Sequence, residues 1–476
     1  MTDPRPPAAP QPTPPPESLR PRNNGAQSWE RHRKLASWRW EALRTTLWMV
    51  PTILVLVAGL LFFVTFEIDW AAYHGHLELS LWIRTGGADA GRQVLIAIAA
   101  AVITVIGVVF SITILALTLA SQQFGPRMMR NFVRDVGNQV TLGVFVGTFV
   151  YAVLGLGSIT GAFVPHLSIT VAEALLLVDI AVLIYFIHHI AKSIQLPEVI
   201  AGIARDLLRA IDAEFPRQES DADSPEPVGT GKSVPELLQL IDDRGGVVLA
   251  SVSGYLQFVG YAQLVDIAVR TDAVIRLDHR PGHFLVEGRP IATVWPRGAA
   301  QQVALALSKA HVTGPHRTLM QDPVFAIDQL VEIAIRALSP AVNDTFTALT
   351  CIDWLSAGLS RVTRRTLDEG IYRDRFGRVR LIESDPSYAR MVNRAFDKVR
   401  QAARGMPAVI IRMIDALASI MEATTSAYQQ HILVHQAEMI LKSAEESVPD
   451  QNDLEDIRGR YRRMLDHVRV EDPTNT

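Results

Sequence analysis

Apolar positions along the chain fall into two regimes that change near residue 196. In the first, four long apolar stretches stand at about 45–66, 93–121, 139–160 and 168–191, the first three charge-free and the fourth interrupted by Glu173 and Asp179. Each reaches the roughly 20 residues that a helix needs to cross about 30 Å of hydrocarbon. They predict a four-helix transmembrane region over 35–196, with the last two spans joined as a hairpin by the short turn at Pro165-His166. A Pro-rich segment over 1–34 precedes them and has no core to bury, so it reads as a disordered tail.

In the second regime the apolar runs are shorter. An amphipathic stretch, 198–213, is expected to lie on the membrane surface or to continue the fourth span, and a polar linker carries the chain to residue 235. Short apolar runs separated by turns over 236–296 predict a small β-barrel-like domain of about five strands. Helical spacing then returns over 297–467, with candidate helices near 298–311, 323–338, 344–362, 386–404, 407–425, 427–446 and 450–467, and a tail at 468–476. The expected fold class is mainly α: a four-helix transmembrane region followed by a cytoplasmic α+β part made of the small β-domain and a helical bundle.

Charge places these parts. Arg31, Arg33, Lys34, Arg39 and Arg44 precede the first span, Arg127, Arg130 and Arg134 lie between the second and third, and Lys192, Arg205 and Arg209 follow the fourth. The other loops lack that bias, so both termini are expected in the cytoplasm. A net charge of -3 argues against nucleic acid as a partner. The single Cys351 excludes an intramolecular disulfide and any cysteine zinc cluster.

Candidate chemistry sits first in the spans. Asp179 lies near the middle of span four with Glu173 toward its outer end, and an acid at that depth marks a pathway, a relay or an interhelical contact. One such contact would be a hydrogen bond to a span-two hydroxyl. On span two, Thr104, Ser111 and Thr118 recur every seven residues, with Gly107 and Ser121 at intermediate heptad positions. That stripe suits close helix packing with hydroxyls bonded to their own backbone, or the lining of a pore. Gln122, Arg127 and Arg130 would flank its cytoplasmic mouth, where they can also meet lipid phosphates. Gly143-x-x-x-Gly147 and Gly157-x-x-x-Gly161 on span three permit close helix approach. His188 and His189 suit an interfacial helix terminus.

In the second regime, Val228-Gly229-Thr230-Gly231-Lys232-Ser233 imitates a phosphate loop but has Glu226 where that loop needs glycine. His431, His435 and Glu438 share a helix face without a zinc signature. The densest polar segment holds Asp322, Asp328, Glu332, Arg336, Ser339, Asn343 and Asp344. Asp322 and either Asn343 or Asp344 are placed as N-caps, and Asp328, Glu332 and Arg336 have ion-pairing spacing. The alternative is a polar site at a helix corner that takes an anion. Neither a cofactor nor a metal is called for, and no nucleophile elbow or paired-carboxylate site is found.

Three motifs carry a resemblance to a known family. They are Phe110-Ser111 through Ser121-Gln122-Gln123-Phe124-Gly125-Pro126-Arg127, then Ser253-Gly254-Tyr255-Leu256-Gln257, and Gln321-Asp322 with Arg336-Ala337-Leu338-Ser339-Pro340-Ala341-x-Asn343-Asp344-x-x-Thr347-Ala348. Over about residues 35–440 the chain resembles the bacterial predicted membrane proteins grouped as domain of unknown function 2254. The resemblance implies an inner-membrane location and carries no activity with it. Thr345 stands where the pattern has Pro, and Gly260 where an Asp is expected.

From these readings the chain is expected to be a multi-pass membrane protein that works as a homo-oligomer in the bilayer, channel-like, with span two on the central path and the cytoplasmic part gating it. The alternative is a membrane-anchored sensor or scaffold whose bundle binds a small ligand or a protein partner.

Overall fold

The computed structural model describes residues 48–75, 87–124, 135–161, 163–215, 232–365, 370–383, 387–424 and 426–470, apart from the side chains at 120–124 and 467–470. The chain forms two compact units, Met1–Ile194 and Gln195–Thr476.

In the first unit, α1 (Met49–Tyr73), α2 (Ala88–Phe124), α3 (Val136–Ser158) and α4 (His166–Ser193) are each long and apolar enough to cross a membrane. Helix α3 is the inner one. Its most apolar window is 44% buried against 17–22% for the others, because glycines on one side let neighbours close on its backbone. A Cβ on Gly143 would stand 2.6 Å from Leu54, one on Gly147 3.2 Å from Ala58, and one on Gly155 3.3 Å from Leu95. The first glycine pair is therefore the seat of α1, whereas Gly157 and Gly161 face open space. Apolar side chains such as Leu56, Leu60, Phe63, Phe110 and Leu177 cover the outside, as a lipid environment requires.

The second unit starts with α5 (Leu196–Glu214), whose apolar stripe of Ile200, Ile203, Ala204, Leu207 and Ile211 is buried. That face packs on α9 (Val324–Ala337) and α10 (Thr345–Thr363), with Leu207 against Gly358. The stretch expected on the membrane surface or as a continuation of the fourth span is a separate helix whose apolar face is covered by the chain's own bundle.

Next come α6 (Val234–Arg244), β1 (Gly246–Leu249), β2 (Gly254–Val259), α7 (Tyr261–Arg270), β3 (Val274–Leu277), β4 (Phe284–Leu285), β5 (Pro290–Trp295), α8 (Ala300–Ala310) and β6 (His311–Gly314). After α10 the chain returns to the sheet as β7 (Ile371–Arg373) and β8 (Val379–Glu383) before α11 (Tyr388–Ala402), α12 (Pro407–Met421), α13 (Ala427–Ser447) and α14 (Gln451–Val470).

No closed barrel forms among the described strands. They make one five-stranded sheet, β1-β5-β3-β8-β7, and one three-stranded sheet, β4-β2-β6. The larger is mixed, because β8 runs parallel to β3 with Ile275 opposite Leu381. Barrel closure is lost because β7 and β8, from the region expected to be purely helical, add to the β3 edge. Leu256, Leu264, Ile275, Val294, Val303 and Leu381 fill one core, while Leu237 and Ile241 of α6 pack with Val274, Val379 and Ile382 in another.

Candidate functional site

Asp179 is 3% exposed on α4, turned inward as its cost in lipid demands. Its Oδ1 accepts a hydrogen bond of 3.0 Å from the Thr148 hydroxyl of α3, and its Oδ2 meets no partner among the described residues. The expected partner on span two is replaced by one on span three, since α3 is the helix whose polar face looks into the unit. Glu173 is half-buried on the same helix.

A second buried acid escaped the sequence reading. Asp69, 3% exposed, lies on α1, whose helix continues past the last uncharged residue of span one to Tyr73. Its carboxylate accepts from the backbone N–H groups of Leu167 and Ser168 at 2.8 and 2.9 Å and from Ser168 Oγ at 2.7 Å. It thereby caps the N-terminus of α4 from a neighbouring helix, supplying what Pro165 at the cap position cannot. Ser168 Oγ also donates to Thr65 Oγ1 at 3.2 Å, and Thr65 Oγ1 lies 2.8 Å from the buried Tyr151 hydroxyl. The available signal was the spacing of Thr65 and Asp69, four apart and so on one helix face. At the opposite end of the unit His189 Nε2 lies 2.7 Å from Asp135, the N-cap of α3, whose other oxygen accepts from Gly137 N–H.

The α2 stripe faces outward. Thr104, Ser111 and Thr118 are exposed, and their hydroxyls donate to the carbonyls of Ala100, Gly107 and Ile114 at 2.8, 2.8 and 2.9 Å. The opposite face of α2, with Leu95, Ile98, Val102, Val109 and Ala116, fills the unit's core. The side chains of Ser121 and Gln122, and Arg127 and Arg130 altogether, lie outside the described residues.

In the second unit, two resemblance motifs meet. The Gln321 amide mimics a neighbouring strand, accepting from Val259 N–H at 2.8 Å and donating to Val259 O at 3.1 Å, while Gln257 donates to His316 O at 2.6 Å. Asp322 is 5% exposed and, instead of capping α9, binds Arg317 at 2.7–2.8 Å. Burial pushes its carboxyl up against the pull of Arg317. Asp328 takes Arg317 and Arg394, and Glu332 and Arg336 lie half-buried on the same helix. Ser339 Oγ donates to Arg336 O at 2.7 Å. Asn343 adopts φ 50°, a left-handed turn residue, and Asp344 is the cap, accepting from Thr347 N–H at 3.1 Å.

This corner borders a cavity of about 70 Å³ lined by Tyr261, Arg280, Gln321, Asp322, Tyr372 and Glu383, among others. The Tyr261 hydroxyl donates to Glu383 at 2.7 Å, and the Tyr261 and Tyr372 rings stack at 4.9 Å. Burial, and then the Glu383 carboxylate, push the Tyr261 phenol well above its usual range. His283 nearby is held down at about 4 by burial and then by Arg280 and Arg390. Nothing local in the sequence joins residue 261 to 383. Ser233 of the phosphate-loop look-alike closes a capping box with Glu236 on α6, and positions 228–231 lie outside the described residues. Among the described residues no group of three His, Cys, Asp or Glu side chains is placed to hold a metal ion.

Compared with known proteins, the chain matches the predicted membrane protein family named domain of unknown function 2254 over residues 44–419. The uncharacterized protein Rv1290c of Mycobacterium tuberculosis is 32% identical over 391 residues, covering 79% of this chain and 72% of that protein. The uncharacterized protein Mb1321c of Mycobacterium bovis gives the same figures, 32% identity over 79% and 72% of the two chains. No solved structure matches the chain.

Proposed function

The chain belongs to the domain of unknown function 2254 family of predicted membrane proteins, and from that premise we propose a transport role in the bacterial cytoplasmic membrane. Several copies assemble with α2 of each on a central path, both termini face the cytoplasm, and the second unit gates the path from that side. The observation that supports this reading is the direction of the α2 stripe, whose three hydroxyls and Gly107 point away from the unit's own core. One four-helix unit encloses too little room for a pore, so the path requires copies related by symmetry. Lipid and further copies of the chain are then its partners, with an ion or small solute as cargo. The test is flux in liposomes holding the purified full-length protein. Wild type is expected to exceed the Thr104→Leu, Ser111→Leu, Thr118→Leu triple variant, and equal flux overturns the reading.

A second reading, a membrane-anchored sensor, is favoured by the cavity beside the Gln321-Asp322 corner, whose Arg280, paired tyrosines and carboxylates of Glu214 and Glu383 suit a small polar ligand. It predicts that Asp328→Asn, Arg336→Met or Asn343→Ala abolishes signalling while Asp179→Asn is silent. The reverse pattern sinks it.

A further inference from the structure

In the first unit, the buried side-chain atoms without a hydrogen-bond partner among the described residues are Asn138 Oδ1, Gln139 Nε2 and Asp179 Oδ2. Buried polar groups almost always find a partner or an ordered water. Three orphans in one small unit therefore mark where something exchangeable enters. Two stand on α3, and the third is on α4 beside the α3 residue Thr148.

The satisfied polar groups fall on the same route. From one end, Asp69 holds Ser168, Ser168 donates to Thr65, and Thr65 meets Tyr151, every one of them buried. Tyr151 is one helical turn from Thr148, which donates to Asp179. Asp179 stands at mid-helix, 13 residues from His166 and 14 from Ser193 (179 − 166 and 193 − 179). Toward the other end the buried polar side chains of α3 are Thr141, Gln139 and Asn138, and the series closes on Asp135 with His189. Phe145 and Phe186, both fully buried, separate Asp179 from that end.

We infer that Asp179 is the proton-binding station of a path inside each four-helix unit. The group fits the task on geometry. A carboxyl taken from water with a single hydrogen bond is costly as an anion and far cheaper with a proton on its open oxygen. The buried hydroxyls of Ser168, Thr65, Tyr151 and Thr148 lead toward it from one side. With Thr148 keeping its bond to Oδ1, a proton carried by entering water from the Tyr151 side binds Asp179 Oδ2 and leaves the same oxygen through water toward Asp135 and His189, with only O–H and N–H bonds made or broken. The aromatic layer of Phe145 and Phe186 narrows the second half, which passes a proton on single waters and excludes hydrated ions. The titratable groups on the packed helices are Glu67, Asp69 and Tyr73 on α1, Asp89 and Arg92 on α2, Tyr151 on α3, and His166, Glu173, Tyr185, His188, His189 and Lys192 on α4 itself. None forms an ion pair with Asp179 among the described residues. The inference stands apart from the path between copies.

The experiment uses the full-length protein in liposomes with a trapped pH dye and a valinomycin-set potassium potential. Wild type is expected to acidify the lumen, Asp179→Asn and Thr148→Val to fall to the protein-free rate, and the α2 triple leucine variant to retain the wild-type rate. Wild-type flux at the protein-free rate, or Asp179→Asn at the wild-type rate, overturns the inference. Loss in the triple variant with retention in Asp179→Asn overturns it too and leaves protons moving between copies. Should Asp179→Asn fail to fold, infrared pH titration of the wild type decides. A protonated-carboxyl band that appears on acidification and shifts in deuterium oxide supports a proton on a buried acid, and its absence at every pH overturns the assignment.

Discussion

Gly282→Ala tests the corner that the resemblance motifs build, and its cost can be worked from two contacts. Gly282 has φ +91°, outside the region an L-residue occupies without strain, which costs about 1–2 kcal/mol. The added methyl would also stand 2.2 Å from Asp322 Oδ2, so the carboxylate must withdraw from its place beside Arg317. Breaking a buried pair outright costs about 3–5 kcal/mol, and Asp322 is 5% exposed. A displaced but not deleted carboxylate loses part of that, so the sum is about 2–5 kcal/mol. At roughly 2–4 °C per kcal/mol for a unit of this size, the melting transition should fall by about 5–15 °C. Gly288→Ala is the control, because φ is +74° there and nothing lies within 4 Å of the new methyl. It carries the backbone strain alone, about 1–2 kcal/mol. Calorimetry of both variants in detergent separates strain from contact. Equal losses would refute the claim that Asp322 is held against this turn.

Asp374 gives a pH dependence. Burial alone would raise its carboxyl, but hydrogen bonds from Arg380 and from the Phe376 and Arg378 N–H groups outweigh it and hold it at about 2. A depressed carboxyl stabilises the fold above its unfolded value of roughly 3.9 and loses that contribution as pH falls toward about 2. The stability gap between wild type and Asp374→Asn should therefore close across that window in denaturation titrations. Cys351 is fully buried and its thiol is pushed up to about 12 by burial and then by Asp344, so maleimide should label it only after unfolding. Ser233→Ala removes half of the α6 capping box and should cost about 1 kcal/mol in chemical denaturation.

The long apolar spans and the bundle helices were legible because their pattern repeats over many turns. What stayed hidden was short or paired at a distance. Strand β7 has three residues and β8 five, and β8 carries Arg380, 4% exposed, in mid-strand. A buried arginine breaks the expected alternation, and Asp374, together with Asp272 and the Ala273 carbonyl more than a hundred residues away, makes that burial tolerable. Asp69 looked like a loop charge because the uncharged run of span one ends at Glu67, whereas the helix continues to Tyr73 with the acid satisfied by Leu167 and Ser168. The amphipathic face of α5 was visible, but periodicity cannot say whether lipid or protein will cover it.

Hydropathy ranks the four spans in an order opposite to their polar interest. Helix α3 has the lowest mean hydropathy, 2.0, and the highest burial, whereas α2 reaches 2.8. In lipid a polar group must be satisfied within its own helix or turned toward another. The α2 hydroxyls take the first course, each bonded to the carbonyl four residues back, and so can face outward without a partner. The α3 amides and the α4 acid have no such local recourse and face inward. The two proposed routes thus rest on chemically different groups, and this separates their mutational signatures. Changes along the α2 stripe should leave the stability of an isolated unit nearly untouched, because they remove no contact between helices. Changes at Asp69, Thr148 or Asp179 should alter stability and proton movement together. An α2 triple variant that unfolds the unit would show that the stripe packs against something in the assembled protein, and would move the path between copies from pore lining to interface.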